Sequence, residues 1–184
     1  MPFDFIPQKL KDVVLIIPKI FKDERGFFLE TYKHSEFAKN GINIQFVQDN
    51  YSKSQAKVLR GLHFQKSPYD QAKLIRCTKG RIYDIAVDLR PQSTTFKQYL
   101  KIELSEENKN MLYIPEGFAH GFVVLSEEAE LLYKTNKEYN KNAESGIFWA
   151  DKSLSIDWGI DFDPVLSEKD KNLPSLEELD LWDY

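Results

Sequence analysis

Ala72-Lys73-Leu74-Ile75-Arg76-Cys77-Thr78-Lys79-Gly80-Arg81-Ile82-Tyr83-Asp84-Ile85-Ala86-Val87-Asp88-Leu89 reads as two strands and a turn. Both arms are short, apolar and rich in β-branched residues. Thr78-Lys79-Gly80 puts a glycine where a tight loop needs positive φ, so Ala72 to Cys77 and Arg81 to Leu89 are expected to pair as a hairpin. The same pattern extends in both directions. Upstream lie Val13 to Ile20, the turn Asp23-Glu24-Arg25-Gly26 leading into Phe27 to Tyr32, then Ile44 to Gln48 and Val58 to Gln65. Pro18 inside the first run points to an edge or a bulge. Downstream lie Gln98 to Leu104, Asn110 to Ile114, Gly121 to Leu125 and Glu130 to Thr135. Ser35 to Asn40, stopped by Gly41, reads as one short helix, and Ser167 to Lys171 and Leu176 to Leu181 as helical turns. About ten strands with turns roughly every 8–12 residues predict an all-β fold, an antiparallel sandwich or barrel.

The 184 residues fit one domain, 1–184, with neither repeat nor linker. A formal net charge of −4 without a basic block argues against duplex DNA or RNA as the natural partner, though one nucleotide on a local basic cluster remains compatible. Aromatic residues are 14% of the chain, which favours a β-rich fold or a pocket that stacks flat ligands. The lone Cys77 allows no internal disulfide and no cysteine metal cluster; within an apolar run it is expected to be a buried structural thiol. No signal-peptide pattern opens the chain and no apolar run approaches ~18 residues, so a cytoplasmic protein without a membrane span is expected.

In a closed all-β fold, polar residues that interrupt apolar strands line the mouth between sheets. Strand alternation in Val58 to Gln65 puts Leu59, Gly61, His63 and Gln65 on one face and Arg60, Leu62 and Phe64 on the other. His63 is then either a hydrogen-bonded core histidine or a titratable group inside a cavity. Lys73 and Asp84 fall on the two arms of the expected hairpin. They form either a surface ion pair or a cation aimed at a developing oxyanion, with Asp84 fixing it. Tyr133, in Leu131-Leu132-Tyr133-Lys134, is a packed strand tyrosine on the simplest reading. Taken together, His, Tyr, Lys and Asp suit racemisation or epimerisation. A base takes a proton α to a carbonyl, a cation steadies the enolate, and an acid returns a proton to the other face.

Tyr113-Ile114-Pro115-Glu116-Gly117-Phe118-Ala119-His120-Gly121-Phe122 resembles the second motif of cupin barrels, a turn that delivers a histidine onto a strand. Metal cupins usually bring His-x-His and a Glu from the first motif; here it reads His63-Phe64-Gln65, and the chain has three histidines in all. That set is too small for a zinc or iron site, so no metal is expected and proton transfer is the alternative. Six ordered stretches resemble the dTDP-4-dehydrorhamnose 3,5-epimerase family, a cofactor-independent, cupin-type family of nucleotide-sugar metabolism. They are Asp23 to Phe28, Phe46 to Asn50, Leu59 to Gln65, Asp84 to Arg90, Ile114 to Phe122 and Ser167 to Asp170.

The resemblance implies a cupin-type jelly roll and a homodimer acting on a dTDP-linked 4-keto-6-deoxy sugar. It implies His63 as general base oriented by Asp170, Lys73 at the enolate oxygen, Tyr133 as general acid, and Asp84 behind them. Arg25, Arg60 and Lys169 would meet the diphosphate or sugar; Glu30, Gln48, Asn50, His120 and Glu144 would hydrogen-bond the nucleotide or sugar; Tyr139 would stack on thymine. No cofactor is implied. Inversion at carbon 3 alone, a GDP- or CDP-linked substrate, a non-catalytic nucleotide-sugar-binding module and a metal-dependent cupin oxygenase stay open as alternatives.

Overall fold

The computed structural model describes residues 2–179. In chain order the strands are β1 (Phe3–Pro7), β2 (Val14–Pro18), β3 (Phe21–Asp23), β4 (Gly26–Phe28), β5 (Gln48–Gln55), β6 (Leu59–Gln65), β7 (Lys73–Lys79), β8 (Arg81–Asp88), β9 (Tyr99–Ser105), β10 (Met111–Ile114), β11 (Phe118–Val124), β12 (Glu128–Thr135) and β13 (Glu144–Gly146). Two short α-helices, α1 (His34–Lys39) and α2 (Glu168–Lys171), and one 3₁₀ turn, Leu176–Glu178, complete the described elements. The expected all-β class is therefore what the chain adopts. Of the expected turn Leu176 to Leu181, the last two residues lie outside the described ones.

Six strands form one antiparallel sheet in the order β1-β2-β10-β7-β12-β5, and five form another in the order β13-β6-β11-β8-β9; β3 and β4 make a separate ribbon. The central core joins the two sheets: Ile75, Leu112 and Leu131 of the first pack with Ile82, Leu104 and Phe122 of the second. Both outer faces are partly covered as well. Phe37 of α1 packs with Phe3, Ile16, Leu74 and Met111 on the first sheet. Trp158, Leu154 and Ile147 from the C-terminal segment pack with Ile85, Val87 and Val123 on the second. Burial on both faces explains why β8 reads, between its two end residues, as an apolar run interrupted only by Asp84 rather than an alternating one.

The expected hairpin does not form. β7 pairs with β10 and β12, whereas β8 pairs with β9 and β11, so the chain crosses from one sheet to the other at Gly80. Gly80 has φ +72°, and a Cβ there would meet the Glu128 carbonyl oxygen at 2.0 Å. Periodicity identified both strands correctly but carries no information about which neighbour each one takes. Pro18 is also placed differently from expectation. It ends β2, an interior strand, at a position where β10, which pairs only with Val14 to Ile16, asks for no N–H.

Cys77 is buried and its thiol is pushed up to about 11, chiefly by burial, in keeping with a packing role. Among the described residues no helix is long and apolar enough to cross a membrane.

Candidate active site

The site begins with an irregularity in β6. His63 pairs with His120 and Arg60 with Phe122 across β11, so Gly61 and Leu62 together face the single residue Gly121. This bulge shifts the phase of alternation by one residue. Arg60, expected on the face opposite His63, therefore lines the same cavity as His63 and Gln65. The bulge also brings two backbones together: a Cβ on Gly61 would lie 2.6 Å from the Gly121 Cα.

The cavity, about 290 Å³, lies between the sheets. β5, β7 and β12 supply one wall, with Gln48, Asn50, Lys73 and Tyr133; β6 and β11 supply the other, with Arg60, His63 and His120. Tyr139 and Glu144 also line it.

Each of the two cavity histidines, His63 and His120, is backed by a buried carboxylate. His63 Nε2 lies 2.5 Å from Asp170 Oδ1, and Asp170 is 2% exposed. Ser167 caps α2 by accepting the Asp170 N–H, which presents the Asp170 side chain to β6. A carboxylate only accepts, so the proton sits on Nε2 and Nδ1 keeps the basic lone pair. Burial pushes the Asp170 carboxyl up, but hydrogen bonds from His63 and Ser167 and the neighbouring charges outweigh it and hold it below the usual range. His120 Nε2 lies 2.9 Å from Asp84 Oδ2. Asp84, read from the sequence as fixing Lys73, thus holds His120 by hydrogen bond and acts on Lys73 only through its charge. The reason is the sheet crossing: Lys73 and Asp84 face each other from two sheets rather than along one ladder.

Lys73 is 8% exposed, and burial lowers its ammonium to about 8 against the opposing pull of Asp84. It therefore remains mainly cationic at neutral pH. Burial raises the Tyr133 phenol, with Arg60 opposing, so Tyr133 holds its proton at neutral pH.

At the mouth, the Tyr139 hydroxyl donates to Glu144 Oε2 at 3.1 Å, and Lys169 Nζ pairs with Glu144 Oε1 at 2.5 Å. Gln48 donates to Asn50 Oδ1 at 2.9 Å, and Arg60 donates to Ser54 and to the Lys53 carbonyl. Two expected site residues are not brought to this cavity within one chain. Arg25 sits in the β3–β4 turn, paired with Asp23 at 2.6 Å, and Glu30 lines a separate cleft with Phe21, Phe28 and Lys33. Sequence reasoning overlooked Ser52, Gln71 and Phe122 as lining residues. Ser52 had a signal, since it continues the alternation of Gln48 and Asn50 along β5. Among the described residues, no three His, Cys, Asp or Glu side chains are grouped to hold a metal ion.

A basic imidazole on one wall and, on the facing wall, a protonated phenol with a buried cation on the neighbouring strand equip a cleft to carry protons to and from opposite sides of a carbon. That is the arrangement of an epimerase. Residues 7–178 match the family model described as dTDP-4-dehydrorhamnose 3,5-epimerase, and the chain belongs to that family. It is 52% identical to the dTDP-4-dehydrorhamnose 3,5-epimerase of Shigella flexneri, over 91% of this chain and 92% of that protein. The crystal structure of the corresponding enzyme from Elizabethkingia anophelis superposes with a TM-score of 0.93 at 49% identity, covering 97% of this chain and 98% of that one. A 3,5-epimerase from Legionella pneumophila, solved in complex with dTDP-4-keto-L-rhamnose, gives a TM-score of 0.95 at 42% identity, covering 98% and 96%.

Proposed function

We propose that the chain, as one cupin-type jelly-roll domain, inverts carbons 3 and 5 of dTDP-4-dehydro-6-deoxy-D-glucose to give dTDP-4-dehydro-L-rhamnose, without a metal. The observation that carries this is the placement of His63 and Tyr133 on facing sheets across one cavity. His63 Nδ1 takes a proton α to the 4-ketone while Asp170 steadies the imidazolium. Lys73 meets the negative charge that develops on the carbonyl oxygen, where burial makes a cation most effective. Tyr133 then donates from the other face. His120, held by Asp84, and Arg60 orient the sugar and its phosphates.

A cavity of about 290 Å³ lies at the small end of ligand sites, enough for a sugar ring but not for a whole nucleotide sugar. The nucleotide therefore runs outward past Gln48 and Asn50, with its base on Tyr139, which is 52% exposed. Glu144 and Lys169 flank that path. Phe27 and Phe28, at 56% and 65% exposed, follow Arg25 on the ribbon and call for cover. A second copy of the chain would provide that cover, and in such a homodimer Arg25 and Glu30 would reach the partner's diphosphate site.

The test is incubation with the dTDP-linked 4-keto sugar in heavy water, with chelator and without added nicotinamide. Deuterium is expected at both carbon 3 and carbon 5. Label at carbon 3 alone would make this a mono-epimerase, and loss of exchange on chelation, restored by one metal, would overturn the metal-free reading.

The pH profile should carry the mark of Lys73. Its useful form is the cation, which is present below its pKa and lost above it. Hence kcat/KM should fall on the alkaline side with an apparent pKa near 8. Lys73→Arg, still charged at that pH, should move this limb upward; an unmoved limb would assign the titration to another group.

A further inference from the structure

We propose that Gln65 is a positioning residue: with Gln71 and Gln48 it clamps the main chain that presents Tyr139, and so sets affinity for the nucleotide rather than the rate of proton transfer. This rests on the reading of Tyr139 as the base-stacking residue. After β12 ends at Thr135, residues 136–140 belong to no strand or helix. Their backbone groups are instead bonded by side chains from the sheets. Gln71 donates to the Lys137 carbonyl at 2.7 Å, and the Thr135 hydroxyl donates to the same oxygen at 2.9 Å. Gln65 Nε2 reaches the Glu138 carbonyl at 3.5 Å and the Tyr69 carbonyl at 2.7 Å. Gln48 Oε1 accepts the Tyr139 N–H at 2.9 Å, and Gln65 Oε1 accepts the Asn140 N–H at 2.7 Å. Four consecutive residues, 137 to 140, are thus each held by a side chain.

Gln65 is the centre of this arrangement. It is 4% exposed and spans both the 66–71 and 136–143 loops. The task needs two donations, to the Tyr69 and Glu138 carbonyls, and one acceptance, from the Asn140 N–H, on one short side chain. An amide supplies all three, whereas a neutral imidazole has one donor and one acceptor and an ionised carboxylate only accepts. This gives a physical reason for glutamine at the position where a metal cupin would carry its second histidine. The consequence is a preorganised Tyr139 ring: a base that lands on it orders nothing further.

The test measures calorimetric Kd for dTDP, and kcat and KM for the dTDP-linked 4-keto sugar, in Gln65→Leu, Gln71→Leu, Tyr139→Ala and the Gln65→Leu/Tyr139→Ala double variant. Gln65→Leu is expected to weaken dTDP and raise KM about tenfold, with kcat within about twofold of wild type. Gln71→Leu, which loses one hydrogen bond, should move the same way by a smaller factor, and it keeps the proposal refutable if Gln65→Leu does not fold. Tyr139→Ala should weaken dTDP too, and adding Gln65→Leu to it should cost nothing more, because both act through one ring. Fully additive losses, or a fall in kcat at unchanged KM, would overturn the proposal. If Tyr139→Ala weakens dTDP while neither glutamine variant does, the clamp alone is wrong. If Tyr139→Ala binds dTDP as wild type does, the stacking reading fails and the clamp with it.

Discussion

His63→Ala is expected to lose about 10²–10⁴-fold in kcat, the range supplied by a positioned general base, while Kd for dTDP stays near wild type. The imidazole stands on β6, whereas Tyr139 stands on the loop after β12, so its removal should leave the proposed stacking contact with the base in place. Solvent deuterium exchange should fall together with turnover, since both begin with the same proton removal. Asp170→Asn keeps the shape of the site but replaces an acceptor-only carboxylate with an amide that can also present N–H. It should cost less than His63→Ala, because Nδ1 is still aimed at the cavity while the imidazolium loses its counter-charge. The carboxyl's lowered affinity for protons keeps that counter-charge in place through the neutral range. Near-normal turnover in His63→Ala would put the base elsewhere.

Tyr133→Phe should separate two rates that are coupled in the wild type. The substitution removes one hydroxyl and keeps the ring, so packing against the central core should survive. His63 can still remove a proton and return deuterium to the face from which it came. Exchange should therefore persist while inverted product falls steeply, by the same order as loss of a general acid, about 10²–10⁴-fold. Measuring label and product on one sample decides the matter. If Tyr133 only packed, both rates would stay near wild type; if it only held the sugar, both would fall together.

The strands most legible in the sequence were those mostly apolar on both faces, such as β7, β8 and β11, where the polar interruptions Lys73, Asp84 and His120 belong to the site. β1 and β13 were not read as strands at all, and of β5 only Gln48 was. The residues of β5, Gln48 to Gln55, are polar because one side lines the cavity and the other meets water, so the strand resembles a loop. The pairing of β7 and β8 was misread because a glycine turn looks alike whether it closes a hairpin or crosses between sheets. Arg60 was assigned to the wrong face because alternation assumes an unbroken ladder, and the bulge at Gly61 and Leu62 breaks it. His63 and Asp170 are 107 positions apart. No local pattern joins them; only the family resemblance put them side by side before the fold did.

The crossing at Gly80 is one case of a wider habit of this chain. Successive strands pair with each other only as β1 with β2, β3 with β4 and β8 with β9. Every other ladder joins segments distant in the chain, so little of the fold can zip up from local hairpins. Closing such loops costs entropy before any pairing returns it, which places the chain among slow folders, in the millisecond-to-second range. During synthesis β7 has one flank unpaired until β12 emerges, and β5 has no partner in the first sheet until the same moment. The emerging chain therefore carries open sheet edges for much of its length, and the two walls of its cavity come into existence only once β12, which ends at Thr135, has been made.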